Sequence, residues 1–294
     1  MTGPRPVRPN VLHGIALTVA AVSTFTVLDT MAKWLSQTYP VPMVVWARYV
    51  FNVAILLAWL GPRRGRRLWT VRAPRLQWAR GLALVGSTLF MFSALSLMPL
   101  AEASAITYVG PMLVTACSVR FMGETAPRGT WLALAASLAG VLLIVRPGSG
   151  VFSWAAALPL GVAVCYAAYQ LLTRRLSGVD DPMTTLFVGS AIGALVMSFV
   201  APFAWRWPLV ADWHALLFVA TGAVGALGHG LLIRAFDHAP ASTLAPFVYL
   251  QIVAAIALGW LVFGSLPDAW ALAGMALVTG TGAVMALAQR RRAG

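Results

Sequence analysis

Few side chains of this 294-residue sequence could do chemistry within its long apolar runs. His229, in "GALGHGLLIRAF", could bind a solute or shuttle a proton, because imidazole titrates near neutral pH. It could equally be a packing ring, with Gly228 and Gly230 letting a neighbouring helix approach. Tyr166, Tyr169 and Gln170 are spaced i, i+3, i+4 and share one helical face. Counting ~1.5 Å per residue puts Tyr166 about 17 Å into its run, and Gln251 about 15 Å into another. Polar groups at that depth need a partner or water, so they line a wet cavity or bond helix to helix. Tyr108 and Tyr249 pose the same choice. Asp29 and Arg48 are ionisable groups inside apolar runs, which makes them gating or carboxylate-binding candidates, or a structural ion pair in which Arg48 snorkels. Ser87 and Thr88, like Ser23, Thr24 and Thr26, are weaker candidates, since such hydroxyls usually bond back to the preceding turn.

Missing patterns narrow the chemistry further. The sequence has no Walker loop, HExxH, GxSxG or Cys/His metal spacing, so no catalytic residue, metal or cofactor is expected. Cys117 and Cys165 both lie in apolar runs and read as small core residues. One enzymatic alternative stays open: an intramembrane hydrolase in which His229 works with a nearby serine. It requires a serine within hydrogen-bonding distance of His229.

The elements that must position these residues follow from composition. The sequence is 60% hydrophobic and 10% charged, against about 25% charged in soluble domains. That excludes a water-soluble protein. Ten runs have the ~20 apolar residues that a spanning helix needs: 11–37, 41–60, 78–97, 101–122, 128–145, 152–174, 182–203, 213–236, 240–263 and 268–289. "YPVP", "GPRRG", "MPLAE", "GETAP", "RPGSG", "VDDP", "RWP", "DHAP" and "GSLPD" punctuate them. The expected fold is all-α and integral to the membrane, with ten transmembrane helices.

Orientation comes from Lys and Arg. An inside N-terminus puts 17 of the 21 on the inner face and three (Lys33, Arg146, Arg206) outside, with Arg48 within a span. Seven of the 17 lie in "GPRRGRRLWTVRAPRLQWAR", Gly61 to Arg80. Alone, that segment suggests nucleic acid; between two spans it instead sets topology, N-in and C-in. Arg63, Arg64, Arg66 and Arg67 are then placed to meet anionic inner-leaflet lipid. Ten tryptophans at or near span ends, among them Trp131, Trp207 and Trp270, read as interface anchors. Gly222, Gly225, Gly228, Gly274, Gly280 and Gly282 suit close helix contact.

An offset of 141 residues lays the two halves over each other. It pairs Ser36 with Ser177, Gly81 with Gly222, Ala94 with Ala235, Pro99 with Pro240, Tyr108 with Tyr249 and Gly123 with Gly264. Span boundaries coincide at the same offset. Five spans per half force the second half to cross upside down, and inverted repeats place a solute site near the midplane between them. The expected parts are a tail at 1–10, a first repeat at 11–145, a connector at 146–151, a second repeat at 152–289 and a basic end at 290–294.

With "SLMPLAEASAITYVGPMLVTACSVRFMGE" in one half and "DHAPASTLAPFVYLQIVAAIALGWLVFGS" in the other, the sequence resembles the drug/metabolite transporter superfamily. More narrowly it is similar to EamA-type transporters, including bacterial inner-membrane exporters of aromatic and other amino acids. The resemblance implies a basket of spans 1, 3, 4, 6, 8 and 9 around a central cavity, with 2, 5, 7 and 10 peripheral. Two departures weaken exact symmetry: Glu124 faces Ser265 across the repeat, and Pro111 faces Ile252, so the kinks of spans 4 and 9 are not expected to match. The function this implies is secondary transport, exporting small metabolites such as amino acids by alternating access. A carrier for a drug, nucleoside or sugar derivative is the alternative. Expected partners are a small-molecule solute and lipid, with no nucleic acid, in a monomer or weak dimer. The interior is expected to be nearly uncharged, which disfavours phosphate or sulfate esters.

Overall fold

A computed structural model describes residues 10–122, 128–146, 154–206, 213–239 and 241–293. The tail with Arg5 and Arg8, Gly123 and Glu124, connector residues 147–151, Trp207, Pro240, and the side chains of Pro111, Pro246 and Arg290 to Arg292 lie outside the described residues.

The described chain is all-helical. The first half contains α1 (Val11–Ser36), α2 (Val41–Arg64), α3 (Pro74–Leu97), α4 (Leu100–Thr107), α5 (Gly110–Met122) and α6 (Arg128–Val145). The second contains α7 (Ala157–Leu176), α8 (Pro182–Val200), α9 (Trp213–His238), α10 (Ala241–Val248), α11 (Leu250–Phe263) and α12 (Ala269–Ala293). Six helical stretches are long and apolar enough to cross a membrane alone, and four shorter apolar helices complete ten crossings. Their ends carry the expected chemistry. Asn10 and Asp181 accept N-cap hydrogen bonds for α1 and α8, and left-handed Gly264 closes α11. Lys33 Nζ donates to the Leu95 and Met98 carbonyls at the end of α3, both at 2.8 Å.

Spans 4 and 9 are not continuous helices. Each is broken by one tight turn, and the 141-residue offset carries Leu100–Thr107 onto Ala241–Val248. The breaks fall on the repeat mates Tyr108 and Tyr249. In the first half, Pro111 has no N–H to give the Thr107 carbonyl four residues back. In the second, Ile252 N–H turns to the Tyr249 carbonyl at 3.1 Å, which releases the Val248 carbonyl. Different residues therefore produce equivalent breaks, and the expectation of mismatched kinks is corrected.

Packing repeats the symmetry. α1 lies on α9 as α7 lies on α3, α2 on α9 as α8 on α3, and α1 on α11 as α7 on α5. α2 crosses α8, and α6 crosses α12. Small residues permit the tightest crossings. A Cβ on Gly222 would stand 2.5 Å from Asn52 N, and one on Gly140 would stand 2.8 Å from Gly274 O. Gly225, Gly228, Gly274 and Gly282 also face close neighbours, whereas Gly280 faces open space and does not serve as expected. A wide belt of exposed apolar side chains, including Leu132, Phe199, Phe203 and Leu216, forms the outer wall.

Candidate functional site

Two clusters gather the polar side chains of the interior. The first surrounds a small cavity, about 10 Å³, with room for about one water. α2 supplies Arg48, Tyr49 and Asn52; α3 supplies Arg80 and Leu84; α7 supplies Tyr169; α8 supplies Leu186 and Ser190; α9 supplies His229. Spans 2 and 7 therefore line this cavity, contrary to the peripheral place implied by the resemblance.

Arg80 is the residue the sequence reading misplaced. It was counted among the inner-face arginines, but it lies a turn and a half inside α3 and is only 5% exposed. Its Nε donates to Thr173 Oγ1 at 2.8 Å, Nη1 to the Thr185 carbonyl at 3.1 Å and Nη2 to Tyr169 Oη at 2.7 Å. The guanidinium also lies 4.4 Å from the centre of the Tyr169 ring, a cation–π distance. Arg48 is buried too. It donates from Nη1 to Thr88 Oγ1 at 2.8 Å, while its buried Nε has no partner. Thr88 is saturated, donating to the Leu84 carbonyl and meeting Tyr49 Oη at 2.9 Å. Asn52 donates to the Gly222 carbonyl and leaves its buried Oδ1 unpaired.

All these partners are neutral. Among the described residues the salt bridges are Arg64–Asp181 and Arg146–Asp268, so the anticipated Asp29–Arg48 pair is not formed. The cavity thus holds two buried guanidiniums with no paired carboxylate, and the expectation of a nearly uncharged interior is corrected. A cation at the centre of a membrane helix costs about 2.5–3.5 kcal/mol on insertion scales, so such groups mark sites.

The second cluster sits on the helix breaks. Tyr108 Oη lies 2.9 Å from both the freed Val248 carbonyl and Gln251 Oε1. Gln251 Nε2 donates to Asp29 Oδ2 at 3.4 Å, which ties α1 to the break. Asp29 itself is 8% exposed. The rings of Tyr108 and Tyr249 lie 4.9 Å apart. Tyr249 Oη makes no hydrogen bond among the described residues; its ring fills the space beside Gly282. Tyr166 packs against Gly110 at the first break and accepts from Gln170 Nε2 at 2.8 Å. Its ring stacks on Tyr169, 6.1 Å away, and this links the break to the cavity.

Of the residues singled out from sequence, Arg48, Tyr169 and His229 thus meet at the cavity, with Thr88 behind Arg48 and buried Ser87 beside it. Asp29, Tyr108, Tyr249 and Gln251 meet at the breaks, flanked by Tyr166 and Gln170. Tyr49, Asn52, Arg80 and Ser190 were missed. A signal existed for Arg80: it shares a face of α3 with Leu84 and Thr88 at i, i+4, i+8. His229 packs edge-on to Phe25 at 4.9 Å and makes no hydrogen bond among the described residues. Ser190 Oγ donates to its own helix at Leu186 O, so the serine–histidine pair a hydrolase requires is not made.

Comparison with known proteins decides the family. The profile of the EamA-like transporter family matches twice, over residues 12–146 and 153–287. This chain belongs to the EamA-like transporter family. Relatives of this EamA-like protein include the pseudopaline exporter CntI of Pseudomonas aeruginosa, 32% identical over 272 residues, 90% of this chain and 93% of the relative. A riboflavin transporter of Vibrio cholerae is 24% identical and covers 91% of this chain and 90% of its own length. An S-adenosylmethionine uptake transporter of Rickettsia bellii is also 24% identical, covering 90% of each. One crystal structure of a protein aligns over 96% of this chain and 97% of its own, with TM-score 0.63 at 22% identity, and shares the fold. The chain is accordingly a multi-pass transporter of small metabolites in the bacterial inner membrane, not an enzyme.

Proposed function

We propose that this transporter exports small, amino-acid-like metabolites from the cytoplasm, passing them between the inverted halves 11–145 and 152–289 by alternating access. The observation carrying this reading is that both helix breaks fall on the repeat mates Tyr108 and Tyr249, beside the polar cavity. Discontinuous helices in corresponding positions of inverted repeats are where secondary transporters hold solute. The tyrosines also give the halves something to exchange. Tyr108 Oη serves the Val248 carbonyl in this state. The repeat-related contact is Tyr249 Oη to the Thr107 carbonyl, the one Pro111 cannot serve, and it forms when the halves trade conformations. Asp29 and Gln251 hold the break, while Tyr166, Tyr169, Gln170 and His229 face the solute path, with Ser87 and Thr88 supporting Arg48.

Export is favoured by the pseudopaline exporter at 32% identity. The riboflavin and S-adenosylmethionine transporters favour a second reading, a carrier for a ring-bearing solute such as a nucleoside or drug. Exposed Arg63, Arg66 and Arg67, with Arg64, rest against anionic inner-leaflet lipid, and the protein works as a monomer or weak dimer. The test is flux of a labelled amino-acid panel into proteoliposomes, with and without a pH gradient. Transport of at least one amino acid is expected. Transport of riboflavin or a nucleoside with no amino acid moved would select the second reading, and flux indifferent to the gradient would remove proton coupling through His229.

A further inference from the structure

We infer that the cavity between α2, α3, α7, α8 and α9 is a carboxylate-binding site, and that the transported metabolite carries a carboxylate held by Arg48 and Arg80. The inference rests on the transport reading and narrows its substrate class. Both arginines are more than nine-tenths buried, at 8% and 5% exposure, and both line the same cavity. Neither reaches a carboxylate among the described residues, because the two salt bridges found there lie elsewhere. A buried charge is stable only when paired, and here every hydrogen-bond partner is neutral, buried Asp29 lying within electrostatic range of Arg48 without forming an ion pair. The missing negative charge is therefore the ligand's.

Hydrogen-bond inventory supports the assignment. A guanidinium has five N–H donors. Arg80 spends three, on Thr173, Thr185 and Tyr169, which fixes its plane. Arg48 spends one on Thr88 and keeps its Nε unpaired. Donors therefore remain on both guanidiniums, the groups that a carboxylate accepts from. Asn52 Oδ1, one turn below Arg48 on α2, is a buried acceptor with no partner and suits an adjacent N–H or O–H of the same ligand. Tyr169, with the Arg80 guanidinium over its ring, walls the other side.

Binding to the full-length protein in nanodiscs, followed by thermal stabilisation, tests this with four probes sharing one ring: phenylacetate, phenylacetamide, phenethylamine and phenyl phosphate. Phenylacetate should stabilise the protein at concentrations at least tenfold lower than the amide or the amine. Arg48→Gln and Arg80→Gln should each raise the phenylacetate concentration required by tenfold or more, and Arg48→Lys should restore part of it. Equal binding of acid and amide, tighter binding of the phosphate, or no binding of any probe overturns the carboxylate assignment. The probe series on the unmutated protein decides even if an arginine variant fails to fold. Phenylacetate binding without flux of any amino acid would leave this site standing and remove the amino-acid reading. Amino-acid flux with no preference for acid over amide would do the reverse.

Discussion

The cavity and the helix breaks are both polar and both buried, yet they are built on opposite plans. At the second break, the freed Val248 carbonyl is met from within the chain by the Tyr108 hydroxyl, with Gln251 beside it donating to Asp29. At the cavity, Arg48 Nε and Asn52 Oδ1 remain unpaired, and two guanidiniums meet only neutral groups. A satisfied network rigidifies what it joins, while buried donors without partners mark the place where something else binds. The breaks provide a joint and the cavity a grip, with Tyr166 stacked on Tyr169 between them.

Arg80 is expected to be the most damaging position. Arg80→Ala removes three hydrogen bonds to a charged group and strands the partners on α7 and α8, at a cost of about 3 kcal/mol or more. Unfolding of the purified protein would show it, and the effect should be non-additive with Tyr169→Phe by about 1 kcal/mol. Next comes Tyr108→Phe, which keeps the ring and removes the hydroxyl from Val248 O and Gln251. It should cost roughly 1 kcal/mol. Its mate Tyr249→Phe should cost under about 0.5 kcal/mol, because that hydroxyl has no partner among the described residues. If both tyrosine variants lower flux alike while only Tyr108→Phe lowers stability, the exchange of contacts between halves is supported. Equal stability losses would count against it.

The smallest effect lies outside both regions. Asp268, in the loop before α12, accepts from Ala271 N–H and pairs with Arg146. The Ala271 hydrogen bond first, then Arg146, hold its carboxyl below the ordinary aspartate range. A depressed folded pKa means stability that is present above the unfolded value and lost as pH falls through the folded one. Acidification from neutral to about pH 3 should therefore destabilise the wild type slightly more than Asp268→Asn, with the difference confined to the acidic end, as melting curves across pH would show. A difference appearing above pH 6 would be the wrong sign.

The architecture was legible because membrane physics writes it in runs of about 20 apolar residues, in the placement of Lys and Arg, and in the 141-residue repeat. The breaks were not. Pro111 marks one visibly, but at Tyr249 the interruption lies in which carbonyl Ile252 N–H selects, and no residue type announces that. The charge of the site was also hidden. Arg80 follows six other arginines within 20 residues, and composition cannot tell a side chain turned inward from neighbours facing lipid. The tyrosines and Gln251 were found because a phenol or carboxamide at mid-depth needs a reason to be there.

Passage of solute between the halves is tested most directly by initial rates of labelled amino-acid flux in proteoliposomes at matched protein density. The rates compare wild type with Tyr166→Ala, Gln251→Ala and Trp131→Ala, the last an exposed tryptophan at a span end. Tyr166→Ala and Gln251→Ala should each lower flux at least tenfold while Trp131→Ala stays within twofold of wild type. Equal losses in all three, or full flux in the first two, would contradict a path through the breaks.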